Sequence, residues 1–96
     1  MNKLEESISI FKALGDKTRL LIVNSLMNEA KCVNTIVAEL QMTQSAISHQ
    51  LQILKLNGII KATRKGKEVY YSLDDEHIKE IVLTVDNHAS HKANEQ

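Results

Sequence analysis

The sequence predicts a mainly α-helical protein with one β-hairpin, in the order α-α-α-α-β-β-α, and three observations carry that expectation. The chain has 96 residues with no proline, three glycines and 3% aromatic residues, a composition that favours helices over sheets. Apolar residues recur at helical spacing from Ile8 to Leu54 and again from Ile78 to Val85. Between these stretches, β-rich runs flank Lys65-Gly66-Lys67, and a glycine at a basic turn between such runs signals a hairpin. At this length residues 1–96 are expected to form a single domain burying only about 60–65% of its unfolded surface, so a dimer interface would add usefully to its stability.

The elements follow in order. Ile8, Phe11 and Leu14 give a first helix that stops near Gly15, and Asp16 can cap a second whose apolar face includes Leu20, Ile22, Val23 and Leu26. A short third helix, about Val33 to Leu40, directs Ile36, Val37 and Leu40 inward. Gln41-Met42 is only long enough for a turn. Thr43 is a good N-cap for a fourth helix running to about Asn57, in which Ile47, Leu51 and Leu54 form the buried row. Two helices joined by so tight a turn read as helix-turn-helix. Gly58 ends the fourth helix, and Ile59 to Arg64 and Glu68 to Leu73 form the hairpin, which makes the whole a winged helix-turn-helix. Asp74 or Asp75 then caps a last helix with an apolar stripe of Ile78, Ile81, Val82 and Val85. That stripe has to be buried, and a second subunit is the expected cover, giving a homodimer through the first and last helices.

Charge narrows the function classes. Residues 1–40 hold five Lys/Arg and five Asp/Glu, 41–73 hold five basic residues against Glu68 alone, and 74–96 hold two Lys against six acids, so the balance by segment is 0, +4 and −4. A basic middle beside an acidic tail fits a chain that touches nucleic acid with one part and a cation with another. No apolar run approaches ~18 residues and the N-terminus lacks the pattern of a signal peptide, so a cytoplasmic protein with no membrane partner is expected. The single cysteine, Cys32, excludes an internal disulfide and any all-thiolate metal site.

The last helix carries the chemistry. Asp75 and His77 stand at its start and His88 and His91 at its end, four oxygen and nitrogen ligands suited to a metal. The eleven residues from His77 to His88 rise about 16 Å along the axis and turn only about 20° around it, so the two pairs share a face but cannot share an ion. Zinc needs its nitrogen ligands about 2.0–2.1 Å from one centre. Both pairs can be used only if a second copy of the helix runs antiparallel, which asks for a symmetric dimer with two identical sites across its interface. The plainer reading is that three histidines on a polar helix are solvated side chains.

The exposed face of the fourth helix bears Gln44, Ser45, Ser48 and His49, small polar residues that can donate and accept at major-groove edges where bulkier groups would hold the helix away. Arg64, Lys65 and Lys67 in the wing suit phosphate or minor-groove contact. The alternatives are a solvated helix and a solvated hairpin tip.

Three runs, Phe11 to Arg19, Thr43 to Leu51 and Arg64 to Leu73, stand in an order and spacing that resemble the ArsR/SmtB family of bacterial metal-sensing repressors, over about residues 8 to 92. The Asp75, His77, His88 and His91 set is similar to the site on the last helix of the family's zinc- and cobalt-responsive members. The resemblance implies a repressor that binds double-stranded, inverted-repeat operator DNA while metal-free and dissociates on binding Zn(II) or Co(II). It further implies a relay, in which the ligand matching His88 bonds a backbone carbonyl just after the recognition helix, here that of Gly58. A second site, thiol-rich in some members, is matched only at Cys32, with Asn34 and Thr35 where further ligands would stand, so thiophilic ions and a dithiol switch are not expected. The alternative on the same fold is a regulator responding to nickel or to a non-metal signal.

An enzyme is not expected. A catalytic zinc keeps one coordination position open, whereas Asp, His, His and His fill a tetrahedron. Ser48 and His49 are adjacent on a helix, so their side chains diverge and cannot act as nucleophile and base. No Gly-rich phosphate loop and no site for a small organic substrate can be read.

Overall fold

The computed structural model describes residues 2–94. Its elements are α1 (Lys3–Leu14), α2 (Lys17–Ser25), β1 (Lys31–Cys32), α3 (Val33–Leu40), α4 (Gln44–Leu56), β2 (Ile60–Lys65), β3 (Glu68–Leu73) and α5 (Glu76–Asn94). Short polar side chains start α2 and α4 at Asp16 and Thr43, as the sequence predicts, and α1 at Asn2, which it does not single out, whereas α3 begins at Cys32 with no side-chain cap bond. The Glu5 N–H donates to Asn2 Oδ1 at 2.8 Å, the Arg19 N–H to Asp16 Oδ2 at 3.0 Å and the Ala46 N–H to Thr43 Oγ1 at 3.2 Å. Each bond satisfies one of the donors that a helix leaves unpaired at its first turn. For α5 the structure selects Asp75 over Asp74, since Asp75 Oδ1 accepts from the Ile78 N–H at 3.2 Å.

The end of α4 is a Schellman motif. Gly58, at φ 70°, lets its own N–H reach the Lys55 carbonyl at 3.1 Å and the Ile59 N–H reach the Leu54 carbonyl at 3.0 Å. Ile59 is thereby drawn into the core beside Leu54, and β2 begins at Ile60 rather than at the Ile59 expected from sequence. Gly66, at φ 63°, takes the first central position of the two-residue hairpin turn between Lys65 and Glu68, where a positive φ matches the strand twist.

The sequence-derived order lacks one strand. Lys31 and Cys32 pair antiparallel with Tyr71 and Tyr70, so the hairpin becomes a three-stranded sheet in the order β1-β3-β2. Two residues have no periodicity to read, and this strand exists only because β3 offers an edge to it. An ion pair from Lys31 Nζ to Glu39 at 2.8 Å fastens the strand to α3.

The core lies where α2, α3 and α4 meet, with the end of the hairpin closing it. Ile22, Val23, Ile36, Ile47, Leu51, Leu54 and Ile59 are fully buried, and Ile78 and Val82 bring α5 against the same cluster. Leu20 is more exposed than its place in the helical pattern suggests, at 37%. No buried side-chain nitrogen or oxygen among the described residues lacks a hydrogen-bond partner. Among those residues no helix is long and apolar enough to cross a membrane.

Candidate nucleic-acid and metal sites

The α3–α4 turn is made by Gln41, whose left-handed φ of 55° ends α3, followed by Met42 and the capping Thr43. Burial of Ile47, Leu51 and Leu54 leaves Gln44, Ser45, Ser48 and His49 together on the exposed face of α4, with Gln52 and Lys55 continuing it. The first of these sit at the positive end of the helix dipole, an electrostatic advantage beside a phosphate backbone. Arg64, Lys65 and Lys67 are exposed at the far end of the hairpin. Arg64 Nε donates to the Gly66 carbonyl at 3.3 Å, and Lys65 Nζ stands 5.7 Å from the centre of the Tyr70 ring, so two of the three wing cations are pre-arranged by their own hairpin.

At the start and end of α5 the two candidate ligand pairs differ. Asp75 and His77 come together: Asp75 Oδ2 lies 3.5 Å from His77 Nδ1, while Asp75 Oδ1 is engaged in capping the helix. A separation of 3.5 Å is long for a hydrogen bond. It is close to the ~3.3 Å between two ligand atoms of a tetrahedral zinc with bonds of about 2.0–2.1 Å. His88 and His91 lie exposed near the other end of α5, which runs unbroken from Glu76 to Asn94. Among the described residues no three His, Cys, Asp or Glu side chains of one chain converge on a common point. The donor types fit zinc, and each end of the helix in one chain carries only two candidate ligands.

Gly58 is close to the first of these ends. The Asp74 N–H donates to the Ile59 carbonyl at 2.9 Å, tying the start of α5 to the segment that leaves α4. The Gly58 carbonyl oxygen accepts none of the backbone hydrogen bonds of the described residues, so an acceptor remains available one residue away.

Between α1, α2 and α5 runs an apolar groove of about 330 Å³, lined by Phe11, Leu14, Leu20, Ile81, Val85 and Ala89. Phe11 and Val85 are 60% and 61% exposed within one chain. Two residues that tie α4 to the first two helices, Arg19 and Gln50, are not apparent from sequence. Arg19 Nε donates to the Ala13 carbonyl at 2.9 Å and Arg19 Nη1 to Gln50 Oε1 at 3.0 Å, joining α1, α2 and α4. The available signal was a cation in the first turn of α2, where a helix prefers an anion. Cys32 stands alone at the start of α3. The Thr35 hydroxyl, 3.4 Å from its sulfur, and then the Thr35 backbone N–H hold its thiol below the ordinary value.

A helix-turn-helix with an exposed polar second helix and a basic wing defines the class, a winged-helix DNA-binding regulator. Comparison with known proteins gives the family. The pattern described as bacterial regulatory protein, arsR family, matches residues 16–62. An uncharacterised HTH-type transcriptional regulator of Methanocaldococcus jannaschii is 46% identical over 87 residues, covering 90% of this chain and 98% of that protein. The transcriptional repressor SmtB homolog of Synechocystis is 34% identical over 88 residues, covering 92% of this chain and 67% of that protein. The solution structure of a homodimeric winged helix-turn-helix DNA-binding domain from Mycobacterium bovis, a possible ArsR-family regulator, superposes with a TM-score of 0.92 at 27% identity, covering 97% of this chain and 86% of that one. The chain belongs to the ArsR/SmtB family of transcriptional repressors, and is a regulator rather than an enzyme.

Proposed function

We propose that the protein is a homodimeric, metal-responsive repressor that holds an inverted-repeat operator while metal-free and releases it on binding Zn(II), or Co(II). Two identical intersubunit sites would each take Asp75 and His77 from one subunit and His88 and His91 from the other. The observation that carries this reading is the division of labour at Asp75, whose one oxygen caps α5 while the other lies 3.5 Å from His77 Nδ1, a ligand-like separation. The apolar groove along α1 and α5 supports the dimer, because its Phe11 and Val85 lie exposed in the monomer and a second subunit would cover them.

Bound between subunits, the ion would fix ligands of two chains to one centre and so restrain how the subunits sit. The residues of this chain carry the consequence to the DNA face. Gln44, Ser45, Ser48 and His49 read base edges, and Arg64, Lys65 and Lys67 contact backbone or minor groove. Two copies of α4 can do so together only when about one helical turn of DNA, roughly 34 Å, separates them. The metal pair and the DNA unit are tied by the bond from the Asp74 N–H to the Ile59 carbonyl. A ring N–H of His88 donating to the Gly58 carbonyl would report metal binding to the end of α4, since a ligand imidazole usually gives its other N–H to a nearby acceptor.

The test is a fluorescence-anisotropy titration of duplex DNA selected by the metal-free protein. Zn(II) should lower operator affinity and a chelator should restore it. Unchanged or tighter binding with zinc would overturn the proposal, and release by nickel alone or by a non-metal signal would assign the same fold to another inducer.

A further inference from the structure

We propose that Arg19 is a positioning residue of the DNA-reading helix: its guanidinium bridges the end of α1 to Gln50 and sets the rotation of α4 without itself touching DNA. The inference rests on α4 being the base-reading element. That helix is otherwise held by the apolar side chains of Ile47, Leu51 and Leu54, and apolar burial is non-directional, so it tolerates small rotations that would carry Ser48 and His49 away from base edges. The bond from Arg19 Nη1 to Gln50 Oε1 at 3.0 Å is directional and lies next to His49 in sequence.

The other arm fixes the bridge to the interface helix. Arg19 Nε donates at 2.9 Å to the carbonyl of Ala13, a residue 3% exposed near the end of α1, where the last carbonyls have no partner within the helix and attract a cation. Ala13 sits between Phe11 and Leu14, both of which line the apolar groove. The position of Arg19 in α2 works against a cation, because it lies in the first turn at the positive end of the dipole, with its own N–H held by Asp16. An acidic or neutral residue would suit the first turn of α2 better, so the arginine is explained by what its planar fork reaches outside that helix. Donors on separate nitrogens, held in one rigid plane and reaching acceptors on two different helices, are what a guanidinium offers, whereas the three donors of an ammonium radiate from a single atom.

The experiment compares the full chain with Arg19→Met, Gln50→Leu and the double variant, by thermal melting and by anisotropy on the parent's selected duplex over a salt series. Each single variant should weaken operator binding about tenfold, and the double variant should bind no worse than the weaker single, because both remove the same bridge. The slope of log affinity against log salt should stay that of the parent, since no phosphate contact is lost. A slope lowered by about one in the charge-removing Arg19→Met would make Arg19 a direct phosphate contact and overturn the proposal. Losses that add in the double variant, or parental affinity in folded variants that merely melt earlier, would overturn it as well. Failure of the parent to select any duplex would fault the DNA-reading assignment instead, which separates the two ideas.

Discussion

Asp75 is predicted to do two jobs that different substitutions separate. Asp75→Asn keeps an oxygen that can accept from the Ile78 N–H, now at 3.2 Å, but removes the carboxylate facing His77. Asp75→Ala removes both. Loss of an N-cap costs about 1 kcal/mol, within a range of roughly 0.5–2, and 1 kcal/mol moves the midpoint of a domain near 100 residues by about 4–8 °C. Metal-free Asp75→Ala should therefore melt about 4–8 °C below the parent, and Asp75→Asn within a few degrees of it. Zinc at about 100 times its dissociation constant should stabilise the parent by ~2.7 kcal/mol. Both variants should lose most of that gain. Melts by circular dichroism at one protein concentration, with chelator and with zinc, measure parent and variants alike. A full zinc shift in Asp75→Asn would remove Asp75 from the ligand set. Equal metal-free stability of the two variants would refute the capping argument.

The remaining predictions concern the dimer, the DNA face, the relay and the thiol. Mixing a His77→Ala chain with a His88→Ala chain should restore one tight zinc site per heterodimer, measured by competition with a zinc indicator, because one end of the interface keeps all four ligands; failure to recover a site would refute the intersubunit arrangement. Ser48→Ala or His49→Ala should relax base preference in a duplex-selection assay, whereas Lys65→Ala with Lys67→Ala should weaken binding to every sequence and lower the salt slope by about one per lost phosphate contact. A His88→Cys variant should still bind zinc through its thiolate yet lose much of a coupling of ~1–3 kcal/mol between zinc and operator, read by measuring both affinities on the same protein. Thr35→Val should slow alkylation of Cys32 by iodoacetamide near neutral pH, because the side-chain donor that lowers the thiol is gone; an unchanged rate would show that the hydroxyl does not act on the sulfur.

The helix-turn-helix, its caps and the polar face of α4 were legible in the sequence because they depend on neighbours within a turn or two. Caps such as Asp16 and Thr43 act on an N–H three residues on, and the row Ile47, Leu51, Leu54 leaves its polar complement exposed by helical geometry alone. The rise of a helix likewise suffices to keep His77 and His88 of one chain too far apart to share an ion. Tertiary structure decided what rests on residues distant in the chain. Strand β1 exists only through Tyr70 and Tyr71 of β3. The bond between Arg19 and Gln50 spans 31 positions, and the one from Asp74 to Ile59 joins the start of α5 to the end of α4. The choice between Asp74 and Asp75 as the cap of α5 likewise depends on the path the chain takes from β3 into that helix. Local rules fix which backbone groups need partners near each helix end, but the meeting of two segments far apart in sequence is chosen by the packing of the whole core, which no short window contains.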